Sequence, residues 1–285
     1  MKTKINILIF AAVLAVTVIS CQTFGQNASN AFSASGKAIS SAVEEITPEQ
    51  EYYIGRAVAA NILSSYKIWN GKPALTSYLN LVCTAITLNS PRPDIYNGYH
   101  VAILDSNEIN AFATSGGHIY VTRGLINAAK SEDALAGVIA HEVSHIQLRH
   151  GIKAIRSSRI TQALIVTGAA AAGAVSGMDV NQLTDVFNES IGEIVSTMLN
   201  NGYSKVQEFD ADNTAMKLMA SAGYSPSGLI DMLKELDKVQ TSSSGMGKTH
   251  PTPAQRVSNA ELSVKLYKVT DTSSQREKRF ASAVK

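Results

Sequence analysis

His141-Glu142-Val143-Ser144-His145 places two imidazoles four residues apart with a carboxylate between them. On an α-helix, residues with that spacing lie one turn above each other, about 40° apart around the axis. Both rings then face the same way, at the span over which two histidines hold a zinc ion. Glu142 projects about 100° from His141, beside such an ion rather than onto it. A carboxylate there can take a proton from water, which is the chemistry of metal-assisted hydrolysis.

A hydrolytic zinc site needs a third protein ligand and one open position. Glu208 is the best candidate, because it is the only Glu in the chain followed four residues later by an Asp. On a helix that spacing stacks Glu208 and Asp212 on one face. Glu208 can then bind the metal while Asp212 accepts the free ring N–H of a ligating histidine, the usual partner of such rings. His150 is a weaker third ligand. Nine residues after His141, a continuing helix turns it to the opposite face.

These residues need elements to hold them. The metal helix reads from Ser131 to about His150, with Ser131 as its cap and Glu132 and Asp133 in its first turn. It is apolar on two sides, so it should lie buried in the middle of the protein. Helices are expected at about 47–66, 74–88, 180–199, 204–222 (ending at Gly223), 226–239 and 253–267. Residues 99–104, 111–114 and 118–122 alternate like strands around Ser115-Gly116-Gly117 and predict a small antiparallel sheet. The whole is α+β and mostly helical.

His141 to His145 followed by Glu208-Phe209-Asp210-Ala211-Asp212 resembles the M48 zinc metallopeptidases, whose pattern is H-E-x-x-H then E-x-x-A-D. Asn110 to Ala113 with Gly116 to Leu125 is similar to that family's segment upstream of the metal helix. Thr249-His250-Pro251 with Arg256 is similar to its segment further on. The resemblance spans about Glu51 to Leu266. It implies a zincin-like (gluzincin) fold with a buried H-E-x-x-H helix, and one Zn(2+) per chain held by His141, His145 and Glu208. It also implies that the edge strand Asn110, Ala111, Phe112 and Ala113 pairs with an extended substrate backbone. His250, placed in an extended loop by Pro251, either donates a hydrogen bond to the oxyanion of the tetrahedral intermediate or caps the open zinc position in a resting enzyme. The resemblance favours the first. Arg256 orients either the His250 loop or Asp212. His118 lies on the hairpin and reads as a strand surface residue. The short chain resembles the family's soluble periplasmic lipoprotein branch and not its integral membrane branch.

Met1-Lys2-Thr3-Lys4, the apolar run Ile5–Ile19 and Ser20-Cys21 read as a secretory signal of the lipoprotein type, residues 1–20, with Cys21 acylated. Gln22 after the cysteine favours the outer membrane. Loss of Lys2 and Lys4 with the leader brings 25 basic and 23 acidic side chains into balance, and nothing points to nucleic acid. Cys83 is the only other cysteine and reads as a small buried hydrophobe. Residues 21–46 form a tether, 47–268 the metallopeptidase domain and 269–285 a frayed, charged tail. Residues 160–177 are apolar but rich in Ala and Gly, and predict a tight helix on the body rather than a membrane span. Residues 241–248 read as a mobile loop leading into His250, a candidate lid.

The expected function is zinc-dependent endopeptidase of the bacterial cell envelope, lipid-anchored on the periplasmic side. It would act on unfolded or misassembled polypeptides, since strand pairing reads backbone more than side chain. The alternative is an assembly factor or chaperone for outer-membrane proteins, working with the outer-membrane assembly machinery, whose peptidase activity is latent. Structural zinc is disfavoured, because structural sites prefer closed Cys/His sets.

Overall fold

Thr47 and Gln50 start the first helix by exchanging hydrogen bonds: Gln50 N–H donates to Thr47 Oγ1 and Thr47 N–H to Gln50 Oε1. This helix, α1, is Pro48–Ser65 and buries Ile54, Val58 and Ile62 from one stripe. The structure is a computed structural model that describes residues 46–153, 191–192, 194–239, 250–267 and 273–284. These belong to one unit spanning 46–155 and 191–285. Cys21, the leader, residues 22–45, the apolar stretch 160–177 and the loop 241–248 lie outside the described residues. Among the described residues no helix is long and apolar enough to cross a membrane.

Helix α2, Pro73–Leu88, buries Leu75, Leu79, Val82, Cys83 and Ile86. Strands β1 (His100–Leu104), β2 (Ala111–Thr114) and β3 (His118–Thr122) follow. The expected hairpin forms: β2 runs antiparallel to β3, with Ala111 opposite Val121 and Thr114 opposite His118. Gly116 and Gly117 turn it at φ 80° and 99°, a region that side chains avoid. The third strand corrects the antiparallel expectation. β1 pairs parallel to β3, giving the order β1-β3-β2 and a mixed sheet. Alternation specifies which face of a strand is apolar but not which neighbour it takes. Both faces are covered. Val101, Ile103, Ala111, Ala113, Ile119 and Val121 join the core around α2, while Leu104, Phe112 and Tyr120 join a second cluster with α1.

A short helix α3, Arg123–Ala128, leads to the central helix α4, Glu132–Gln147. Ser131 caps it through a bond from Ala134 N–H, and every residue from Ala134 to Ile146 is buried. It packs against the sheet, α2, α5 (Lys205–Ser221) and α6 (Ser227–Val239). Gly137 permits the α6 crossing, since a Cβ there would come within 2.8 Å of the Leu229 Cα. Helix α5 starts on a second capping box, Ser204 with Gln207. It stops at Gly223, φ 80°, with Tyr224 N–H returning to the Met219 carbonyl. Helix α7 is Pro253–Ser263, followed by a short 3-10 turn over Val264–Leu266.

Two further expectations need correction. Residues 273–284 are not frayed. Ser273–Val284 form helix α8, with Phe280 only 4% exposed. The charges that suggested a solvated tail are arginines satisfying acids on α4: Arg279 on buried Glu132 and Arg276 on half-buried Asp133. The metal helix ends at Gln147 rather than near His150, because Arg149 adopts φ 56° and breaks the helical path.

Candidate metal centre

Helix α4 presents His141 and His145 from consecutive turns, and α5 brings Glu208 against both. His141 Nε2 lies 3.6 Å from Glu208 Oε2, and His145 Nε2 lies 3.6 Å from Glu208 Oε1. The two Nε2 atoms are 3.1 Å apart. Before α7, the His250-Pro251 segment brings a fourth donor, with His250 Nδ1 2.6 Å from Glu208 Oε2. One ligand atom from each of His141, His145, Glu208 and His250 lies within 4.8 Å of the others. His118, by contrast, stands apart from the centre, bonded to Thr114 Oγ1 and stacked on Tyr52.

The set suits a metal ion. Glu208 Oε1 is buried without a hydrogen-bond partner, which is costly unless something binds it. Nitrogen and carboxylate oxygen donors are the ones hydrolytic zinc sites use. Glu142 is also buried, with an Oε1 that has no partner. It lines a small cleft together with Ala111, Phe112, Ala113, His145, Tyr203 and His250. The sequence-selected residues therefore converge, and the edge strand borders the same cleft as Glu142.

A carboxylate and an arginine hold His141 from behind. Its Nδ1 is 2.9 Å from Asp212 Oδ1, four residues along α5 from Glu208 as the spacing predicts. Arg256, from α7, is fully buried and grips Asp212 with two bonds, Nε to Oδ2 at 2.9 Å and Nη2 to Oδ1 at 2.6 Å. Of the two roles open to Arg256, the structure places its guanidinium on Asp212.

Around His145, the sequence reading missed two residues. His150, expected on the far side of the helix, is 1% exposed, and its Nδ1 is 2.9 Å from His145 Nδ1. Tyr203 stacks on a flat face of the His145 ring, centroids 4.5 Å apart and planes 21° from parallel. The signal for Tyr203 was its place just before the Ser204 cap of α5. His150 could be found only through the turn at Arg149, which nothing in the sequence announces.

The electrostatics differ from group to group. Burial and the Arg256 charge oppose a proton on His141, yet Asp212 and Glu208 outweigh them and raise its pKa to about 9. Burial drives His145 far below its ordinary value, with His141 and His150 adding to the effect. Burial and Lys153 lower His150 to about 4. Burial also raises Glu142, as suits a base that must both take and return a proton. Glu208 and Asp212 go the other way. Burial would raise both, but the histidines around Glu208, and Arg256 with His141 at Asp212, hold them well below the carboxylate range.

The Peptidase family M48 model matches residues 76–263. The chain is 28% identical over 260 residues to the beta-barrel assembly-enhancing protease of Escherichia coli (strain K12), covering 87% of this chain and 51% of that protein. It thus spans about half the length of that relative. It is 27% identical over 262 residues to the metalloprotease LoiP of the same organism, covering 89% and 94%. The mitochondrial metalloendopeptidase OMA1 of Schizosaccharomyces pombe is 28% identical over 196 residues, covering 65% and 52%. The family match takes in α4, α5 and the His250 segment together, and the chain belongs to peptidase family M48.

Proposed function

We propose that this chain is a zinc-dependent endopeptidase of the bacterial envelope, acting on unfolded or misassembled polypeptides. The observation that carries the reading is Glu142: a buried carboxylate with an unpartnered oxygen, lining one cleft with His145 and His250, two members of the donor set that His141 and Glu208 complete. Zinc held by those three side chains supplies Lewis-acid polarisation of the scissile carbonyl and lowers the pKa of water. Glu142 takes the proton as water oxygen attacks the carbonyl carbon, then delivers it to the leaving amine nitrogen as the C–N bond breaks. Asp212, fixed by Arg256, holds His141 in the tautomer that leaves Nε2 free to ligate. His250 donates to the carbonyl oxygen as charge develops there.

Backbone capture by β2 supports a polypeptide substrate. Asn110 carbonyl accepts from Thr122 N–H, so by antiparallel alternation Phe112 faces β3 while Ala111 and Ala113 turn their polar groups to the open edge. Asn110 Oδ1 already accepts the Ala111 N–H. Among the described residues this leaves the Ala111 carbonyl and both Ala113 backbone groups for an incoming strand. The leader and Cys21 support lipid anchoring on the periplasmic side, with Gln22 favouring the outer membrane. The name of the beta-barrel assembly-enhancing relative supports a connection to outer-membrane assembly.

Glu142→Gln tests the reading. The variant should keep about one zinc per chain and lose casein hydrolysis by at least about 100-fold. Full turnover by this variant would remove Glu142 as the base. An assembly function that survives the substitution would favour the client-binding factor with latent activity.

A further inference from the structure

The geometry points to His150 as the residue that positions His145, holding its ring the way Asp212 holds the ring of His141. This rests on the reading of His145 as a metal ligand through Nε2. That atom faces the cluster, 3.1 Å from His141 Nε2 and 3.6 Å from Glu208. To ligate, Nε2 must be bare, so the single proton of the neutral ring sits on Nδ1. The group in reach of that N–H is His150 Nδ1, at 2.9 Å. His150 must therefore accept through Nδ1 and carry its own proton on Nε2. Tyr203 closes one flat surface of the same ring, so His145 is fixed on an edge and on a face.

The backbone shows what brings His150 there. On an unbroken helix, His150 would lie about 140° around the axis from His145. Instead α4 stops, Arg149 takes φ 56°, and helical turns resume at His150. A left-handed non-glycine residue costs on the order of 1–2 kcal/mol and persists where its surroundings impose it. Here Arg149 is held by Glu51, 3.2 Å from its Nε, and by the Ile46 carbonyl, which accepts from Nη2 at 2.7 Å. The turn folds His150 back under His145. The two metal histidines thus have unlike supports: an anion locked by arginine for His141, and a neutral ring for His145.

Zinc affinity, measured by competition with a chelator, tests this. His150→Ala should bind zinc about 10–100-fold more weakly, with the cobalt-substituted protein shifted in its visible absorption and the metal-free melting temperature nearly unchanged. His150→Asn places an amide oxygen where Nδ1 stood and should restore affinity to within about threefold. His150→Gln places its oxygen further out and should not. If the Ala variant fails to fold, the contrast between Asn and Gln decides. Wild-type affinity in His150→Ala, or equal losses in the Asn and Gln variants, overturns the proposal alone. Absence of zinc binding by the wild type, or full binding by His145→Ala, overturns the metal-site reading and the proposal with it.

Discussion

Helix α4 carries a buried cluster of charge at each end, and the two are built differently. At the N-terminal end, Glu132 is 0% exposed and receives Arg279 through two nitrogens and the Tyr78 hydroxyl. Asp133 receives Ser225 N–H and Arg276. Neither acid has a buried oxygen without a partner among the described residues. At the C-terminal end, Glu142 and Glu208 each keep a buried oxygen with none, and protonation equilibria are pushed both ways within a few ångströms. Both clusters join acidic groups to bases: arginines of α8 at one end, and at the other the α4 histidines, His250 and Arg256 of α7. What separates them is completeness. A closed set of hydrogen bonds stabilises a fold, whereas spare buried lone pairs beside histidine donors leave room for an ion and a reaction.

Substitutions should separate the two ends in a graded way. The largest effect is expected at His250. If it donates to the developing oxyanion, His250→Ala should lower kcat about 100–1,000-fold with KM little changed. Casein turnover at matched zinc content checks this, and a rise instead would mean that His250 caps the centre until substrate displaces it. Next comes Asp212→Asn. The amide is neutral and keeps only one acceptor oxygen, so its NH2 meets the Arg256 Nε–H that Oδ2 accepted, and zinc affinity should fall about 10–100-fold by chelator competition without vanishing. At the other end, Arg279→Ala leaves Glu132 buried with less of its pairing. Because Arg279 is half exposed, the cost is set at about 2 kcal/mol rather than the full value for a buried pair. Denaturant unfolding should register that loss while zinc content stays at wild type. Equal damage to zinc binding would erase the distinction between the ends.

Much of this centre was legible because it is local. His141 with His145, and Glu208 with Asp212, are pairs four residues apart, and helical spacing alone puts each pair on one face. The buried α4 followed from apolar residues on both its sides. Illegible features depended on partners distant in the chain. Arg256 finds Asp212 across 44 residues. Arg279 finds Glu132 across 147, turning an apparently solvated tail into α8. The parallel β1–β3 pairing depended on which neighbour a strand takes. His150 was misplaced by extrapolating a helix through a residue that leaves it. The smallest prediction uses a position the sequence did place. Burial pushes the Cys83 thiol up to about 12, so folded protein should resist a thiol reagent at pH 8, and this group's share of stability should disappear only as pH rises from about 8.5. Cys83 lies in the core shared by α2 and α4. Its labelling rate should therefore rise in Arg279→Ala and stay unchanged in Glu142→Gln.

The spacing of the centre along the chain also bears on timing. Glu208 and His250 are 42 residues apart, and Arg256 lies 115 residues beyond His141. Contacts of that reach close late, after the loop entropy of the intervening chain has been overcome. The H-E-x-x-H helix is closed by local hydrogen bonds and should form before the place for the ion is complete. Hydrolytic competence should therefore arrive late in folding, so that an unfinished copy does not yet cut the chains around it.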